Sequence, residues 1–204
     1  MTAAVSERLL HVAELGCERE GRLLFSGLNL ELARGACSAL TGPNGSGKST
    51  LLRCITGLYP DYEGQIEAAP TSYLGHRPAV SPGLSVMENL RWFAALSARP
   101  ATPAAADSEL IERLEVVGLA GYEDVLCGRL SAGQHRRVAL ARLCLDESPL
   151  WLLDEPFTAL DLNGQDLVRA LIAEHCAKGG AVLCATHQDL GVPEAAELRL
   201  GARR

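Results

Sequence analysis

The run Thr41-Gly-Pro-Asn-Gly-Ser-Gly-Lys-Ser-Thr50 sets glycines, one lysine and two adjacent hydroxyl residues at the spacing Gly42-x-x-x-x-Gly47-Lys48-Ser49. In that pattern the backbone N–H groups of a glycine-rich turn surround a phosphate, and the lysine adds a compact point charge. Seventeen of the nineteen basic residues in this 204-residue chain are arginine, so a lysine at position 48 is a departure from the composition. A planar guanidinium would not enter the same loop. Gly42, Pro43, Asn44, Gly45, Ser46, Gly47, Lys48, Ser49 and Thr50 therefore read as a triphosphate site. Lys48 is expected on the β- and γ-phosphates, Ser49 on a Mg²⁺ ion and Thr50 on the α-phosphate.

Mg²⁺ takes few protein ligands, so a second oxygen donor is expected beside Ser49. Asp154 suits that place, because it ends the apolar run Leu150-Trp-Leu-Leu-Asp154 and its carboxylate would emerge at the carboxyl edge of a sheet. Glu155 follows at once. A second carboxylate there can polarise an attacking water while the first holds the metal.

The elements that must position these groups can be read from periodicity and punctuation. Strand-like segments stand at Leu9–Leu15, Leu23–Leu32 and Ala36–Leu40, the last running straight into the glycine loop. Lys48–Thr56 reads as a helix ended by Gly57. Short strands at Gln65–Ala68 and Thr71–Gly75 precede helical patterns at Ser85–Ala98, Asp107–Val117 and Gln134–Leu145. Ala98–Ala106 contains two prolines and no periodicity, and reads as a surface loop. A helix near Gly164–Ala177 separates the buried-strand runs Leu150–Asp154 and Ala181–Thr186. This alternation predicts an α/β fold: a P-loop NTPase (RecA-like) core with a mostly parallel sheet, a small antiparallel β region and a helical subdomain. We expect one domain over 1–204, with its core at about 1–80 and 141–204 and the helical subdomain at about 81–140.

Leu130-Ser-Ala-Gly-Gln134 offers a further anion site. Ser131 is a good N-cap for the following helix, and the N–H groups of Ala132 and Gly133 are exposed at its start. One chain has no use for two phosphate sites roughly eighty positions apart unless they face one another. These residues resemble the ABC ATPases, whose LSGGQ signature from one subunit closes on the γ-phosphate held by the P-loop of its partner. The resemblance implies that Leu130, Ser131, Ala132, Gly133 and Gln134 act in trans in a homodimer whose formation depends on ATP. It also makes Asp161 of Thr158-Ala-Leu-Asp161 the acidic member of a D-loop, and His187 the switch histidine at the γ-phosphate.

Three positions depart from the family pattern. Ala132 replaces the first of two usual glycines. Tyr73-Leu-Gly-His76 places His76 where a glutamine usually reaches Mg²⁺ and the attacking water, and imidazole can also accept from a metal-bound water. Arg19, in Cys17-Glu-Arg-Glu20, stands where an adenine-stacking aromatic is common, and a guanidinium plane can stack on a base. With Leu24–Leu28, Glu88-Asn-Leu90, Leu130–Arg142, Leu153–Asp161 and Thr186-His-Gln188, these residues look like the haem-exporter ATP-binding branch of bacterial cytochrome c maturation. His135 stands where that branch usually has glutamine. The resemblance implies an ATP- and Mg²⁺-dependent translocase subunit, peripheral on the cytoplasmic face of the inner membrane. Its partners would be an integral CcmB-like permease and other cytochrome c maturation proteins. The helical insert would then carry the docking groove, with Trp92 and Phe93 as candidate lining residues.

Composition limits the other classes. A net charge of −6 argues against a surface built for nucleic acid, and no apolar stretch is long enough to span a bilayer. The first eight residues have no apolar segment of the kind an export signal needs. The seven cysteines, at 17, 37, 54, 127, 144, 176 and 184, include no Cys-x-x-Cys pair and read as small buried residues of a reducing compartment. With seventeen residues after His187, regulation by a C-terminal module is not expected. Two alternatives stay open: the ATPase of another small-molecule ABC transporter, and a soluble ABC ATPase acting on nucleic acid or ribosomes.

Overall fold

The computed structural model describes residues 8–96 and 103–201. Eight strands and five α-helices are assigned among them: β1 (Arg8–Arg19), β2 (Arg22–Ala33), β3 (Cys37–Thr41), α1 (Lys48–Ile55), β4 (Glu63–Ala68), β5 (Thr71–Leu74), α2 (Val86–Leu96), α3 (Pro103–Val116), α4 (Ala132–Leu145), β6 (Leu150–Asp154), α5 (Leu162–Ala177), β7 (Ala181–Ala185) and β8 (Ala196–Arg199). They form two compact units. The first takes the described residues up to Tyr73, then Ser148–Glu155 and the chain from Arg169 onward; the second takes Leu74–Glu147 and Pro156–Val168.

In the first unit β2, β1 and β4 make an antiparallel sheet in that order. A second sheet runs β5-β6-β7-β3-β8, with β6, β7, β3 and β8 parallel to their neighbours. Every residue of β6 and β7 is buried, as continuous apolar runs covered on both faces must be. The core gathers Leu10, Leu15, Leu40, Leu51, Leu52, Leu152 and Leu183 around this sheet, with the helix after the glycine loop packed on β6. In the second unit α2, α3 and α4 pack on one another and bury Leu90, Leu110, Leu114 and Leu140.

Three differences from the sequence reading have local causes. Strand β8 is missed by the sequence because Ala-Glu-Leu-Arg has no apolar run; it exists through pairing with Ser38–Thr41. Helix α3 starts at Pro103, four residues before the expected start, because proline suits the first helical turn, where its missing N–H is no loss. The rest of the expected loop, residues 98–102, lies outside the described residues, as do the expected end of α2 at 97–98 and the N-terminal residues 1–7. Strands β1 and β2 run longer than their apolar cores, since hairpin pairing extends out to Arg19 and Arg22.

All seven cysteines are free thiols, and six are buried. Phe93 lies beneath the Arg142 guanidinium, 3.4 Å from its ring centre, whereas Trp92 beside it is 56% exposed. No helix among the described residues is long and apolar enough to cross a membrane.

Leu52 is fully buried between α1 and the sheet. Leu52→Ala is expected to destabilise the protein by about 2–5 kcal/mol through lost burial and the cavity left behind. Urea unfolding followed by circular dichroism measures it; an unshifted midpoint would mean that α1 is not held by this contact.

Candidate functional site

Parallel register brings the first group of predicted residues to one edge of the sheet. Leu40 pairs with Ala185, and Ala185 pairs with Asp154, so the ends of β3, β7 and β6 stand in a row. Neighbouring strands are about 4.8 Å apart. The glycine loop leaves β3 at this edge, Thr186-His187 leaves β7, and Asp154-Glu155 leaves β6.

The loop closes tightly on itself. Lys48 is only 8% exposed, and its Nζ donates to the carbonyl oxygens of Gly42 at 2.7 Å and Pro43 at 3.4 Å. The Nε2 of His187 lies 3.5 Å from the same Nζ, so a residue 139 positions away shares the lysine's surroundings. The Thr186 hydroxyl accepts from the Gln188 N–H at 3.0 Å, forming the turn that presents His187. Gly42 has φ 134°, and a Cβ there would stand 2.4 Å from the Leu200 carbonyl oxygen. Only glycine fits so close a backbone approach.

Asp154 is 2% exposed, and its Oδ2 has no hydrogen-bond partner among the described residues. A buried carboxylate oxygen left unpaired is costly, and a hard cation would satisfy it. Ser49, half-buried at the start of α1, adds a hydroxyl oxygen. This donor set, carboxylate and hydroxyl, fits Mg²⁺. Burial pushes the phenol of Tyr73 above the usual tyrosine range, with Arg53 opposing the shift and Asp154 adding to it. Burial, reinforced by Glu155 and Asp154, likewise pushes the thiol of Cys184 well up, so that this cysteine beneath the site stays protonated. Glu155 has φ 51°, a left-handed conformation rare outside glycine, and its N–H donates to the Ala185 carbonyl at 2.8 Å. Strain of this kind gathers at functional sites.

Sequence reasoning missed Arg22. Its Nη1 comes within 3.8 Å of the position a Cβ on Gly45 would take, so its guanidinium borders the tip of the glycine loop. Arg19 is its cross-strand partner and is exposed, with Nε 3.5 Å from the Glu20 carboxylate. Hairpin pairing of β1 with β2 was the available signal.

His76, Leu130–Gln134 and Asp161 belong to the second unit. Ser131 caps α4 in a reciprocal box: its hydroxyl accepts from the Gln134 N–H at 3.2 Å, and Gln134 Oε1 accepts from the Ser131 N–H at 2.9 Å. Gln134 thus has a local task, while Ser131 and Ala132 are exposed. A Cβ on Gly133 would meet the Ala159 carbonyl oxygen at 2.8 Å, which excludes a larger residue there. Asp161 caps α5 by accepting from the Gly164 N–H at 2.9 Å, and lies 3.2 Å from Arg137 Nη2. His76 is exposed.

The sequence profile of the ABC transporter family matches residues 25–158. The chain is 47% identical over 195 residues to the cytochrome c biogenesis ATP-binding export protein CcmA of Pseudomonas syringae pv. syringae, the alignment covering 89% of each chain. Identity with the protein of the same name from Saccharophagus degradans is 44% over 194 residues, covering 88% of this chain and 87% of that relative. Among solved structures, an ATP-binding subunit of an ABC transporter superimposes with a TM-score of 0.83 at 26% identity, covering 94% of this chain and 85% of the other.

Gly42→Ala puts a methyl group against the Leu200 carbonyl, so the loop or the end of β8 must shift. Nucleotide affinity is expected to fall by roughly tenfold or more, read by titration with a fluorescent ATP analogue. An unchanged Kd would remove the close approach from the binding site.

Proposed function

From the premise that the chain belongs to the ABC transporter family, we propose that it is the ATP-hydrolysing subunit of a membrane complex serving c-type cytochrome biogenesis, in haem export or release of a haem-loaded chaperone. The observation that best supports the site is the meeting of Lys48 and His187 at the sheet edge that also carries Asp154 and Glu155.

In this reading the whole of 1–204 makes one ATPase domain, its core at about 1–80 and 141–204 and its helical subdomain at about 81–140. The loop from Gly42 to Thr50 binds the triphosphate of ATP. Lys48 exchanges its carbonyl partners for β- and γ-phosphate oxygens, and the start of α1 adds the positive end of a helix dipole. Ser49 and Asp154 would hold Mg²⁺, which would supply charge neutralisation for the triphosphate. Glu155, whose backbone N–H is held by the Ala185 carbonyl just past the end of β6, accepts the proton of the attacking water. His187 donates to the γ-phosphate and registers its loss. His76 orients the attacking water. Arg19 offers a guanidinium face to adenine, with Arg22 on the same hairpin end beside the loop.

Completion of the site falls to a second copy of the chain. Exposed Ser131 and Ala132, with the N–H groups at the start of α4, meet the γ-phosphate of the partner, and Asp161 lies at the same interface. ATP then holds the homodimer together, and hydrolysis releases it. The membrane partner is an integral, CcmB-like permease within a set of cytochrome c maturation proteins. Trp92, turned outward on α2, contacts it, while Phe93 is engaged by Arg142. The chain sits as a peripheral subunit on the cytoplasmic face of the bacterial inner membrane, with no role for nucleic acid.

Glu155→Gln keeps the shape of the side chain but removes the base. Turnover of the purified membrane complex is expected to fall by about 10²-fold or more while ATP stays bound and the dimer accumulates, seen by size-exclusion chromatography. Normal steady-state hydrolysis would remove Glu155 from that role. Lys48→Ala should fail earlier, at binding, and an unaltered ATP affinity would count against its contact with phosphate. Recovery of the complex from membranes, with identification of the integral protein that accompanies it, tests the partner; a permease of unrelated transport systems would redirect the assignment.

A further inference from the structure

Helix α4 begins at the Ser131 cap and carries two arginines aimed at the segment that bears His76. Arg136, one turn in, is 3% exposed. Its Nη1 donates to the Gly75 carbonyl at 3.0 Å and its Nη2 to the His76 carbonyl at 3.1 Å. Further along, Arg142 Nη1 donates to the carbonyls of Pro78 at 2.9 Å and Ala79 at 3.1 Å. Four of the five carbonyls in 75–79, a stretch with no regular secondary structure, are thus taken by one helix.

The Gly75 carbonyl belongs to the peptide plane before the His76 Cα, and the His76 carbonyl to the plane after it. A residue has only two soft backbone dihedrals, and both are set by the orientations of those two planes. One rigid fork on both carbonyls therefore fixes φ and ψ at His76, and with them the direction in which the imidazole leaves the chain. Burying a guanidinium is costly and is offset here by hydrogen bonds to backbone oxygen. Lysine could not reproduce the arrangement, since its ammonium has no planar fork.

We propose that Arg136 is the positioning residue of His76, and that through it the imidazole and the Ser131 end of α4 keep a fixed geometry. This deepens the reading above, and rests on it for the role of His76 in hydrolysis. If Arg136 acts through His76, the two residues must be coupled in a double-mutant cycle.

The test uses the purified membrane complex and, separately, the full chain. Arg136→Gln is expected to lower kcat by roughly tenfold while KM for ATP stays within about twofold, and Arg136→Lys to recover part of the loss. In a His76→Ala background the same Arg136 substitutions should cost nothing further. An equal fractional loss in that background, or the parental kcat in Arg136→Gln, overturns the proposal. Should Arg136→Gln fail to fold, the cycle is run with Arg136→Lys. Imidazole NMR of the full chain gives a readout apart from turnover: the His76 resonance should shift or broaden in Arg136→Lys, and an unmoved resonance overturns the positioning role. Full turnover by His76→Ala would instead remove the catalytic reading of His76, and the NMR measurement alone would then decide whether Arg136 sets the ring.

Discussion

The ammonium of Lys48 is the constraint to which the first unit answers. A charge this deeply buried must be met by oriented oxygen, and the loop meets it by turning the Gly42 and Pro43 carbonyls onto Nζ. That curvature needs Gly42 at a φ closed to other residues and brings its backbone against Leu200. Leu200 is held in turn by its N–H on the Thr41 carbonyl, just past β8. The short polar strand β8 thus supports the glycine loop through the backbone that follows it. On the other side β7 brings His187 to the lysine, and β6, one strand further, brings the unpaired Asp154 oxygen.

The second unit is organised by a different device. Helix α4 has a nearly uniform distribution of polar and apolar residues, and three of its arginines reach outward to irregular chain. Arg136 and Arg142 bind the carbonyls of 75–79, whereas Arg137 binds the Val117 carbonyl at 2.8 Å and lies beside Asp161. Burial lowers the Arg142 pKa to about 10, so it keeps its charge at neutral pH even where it stacks over the Phe93 ring. The capping box at Ser131 adds local rigidity at the helix start. Arginine is suited to this work because each guanidinium carries several donors in a fixed plane.

How much of this was legible in the sequence follows from the range of each interaction. The strand, glycine loop and helix at 37–55 were readable because local geometry dictates the residue types; so were Ser131 as a cap and Asp154 at a strand end. Arg22 was not, since only the register of β1 on β2 brings a hairpin arginine to Gly45. The partners of Arg136 and Arg142 lie some sixty residues away, and a basic residue on a helix reads by itself as solvated surface. Gln134 was read with the signature motif, and its side chain turns out to be spent on the Ser131 N–H.

The residue at position 76 shows what the arginines of α4 supply. A glutamine in such a place can correct a misplaced backbone through its several side-chain torsions. Histidine has fewer torsions and a rigid ring, so the position of its nitrogen depends more closely on where Cα is held and which way Cβ points. A buried fork on both flanking peptide planes supplies that control from the backbone side. The freedom given up in the side chain is thereby compensated in the main chain. The arginine that compensates it stands five residues after Ser131, on the helix that Ser131 itself caps.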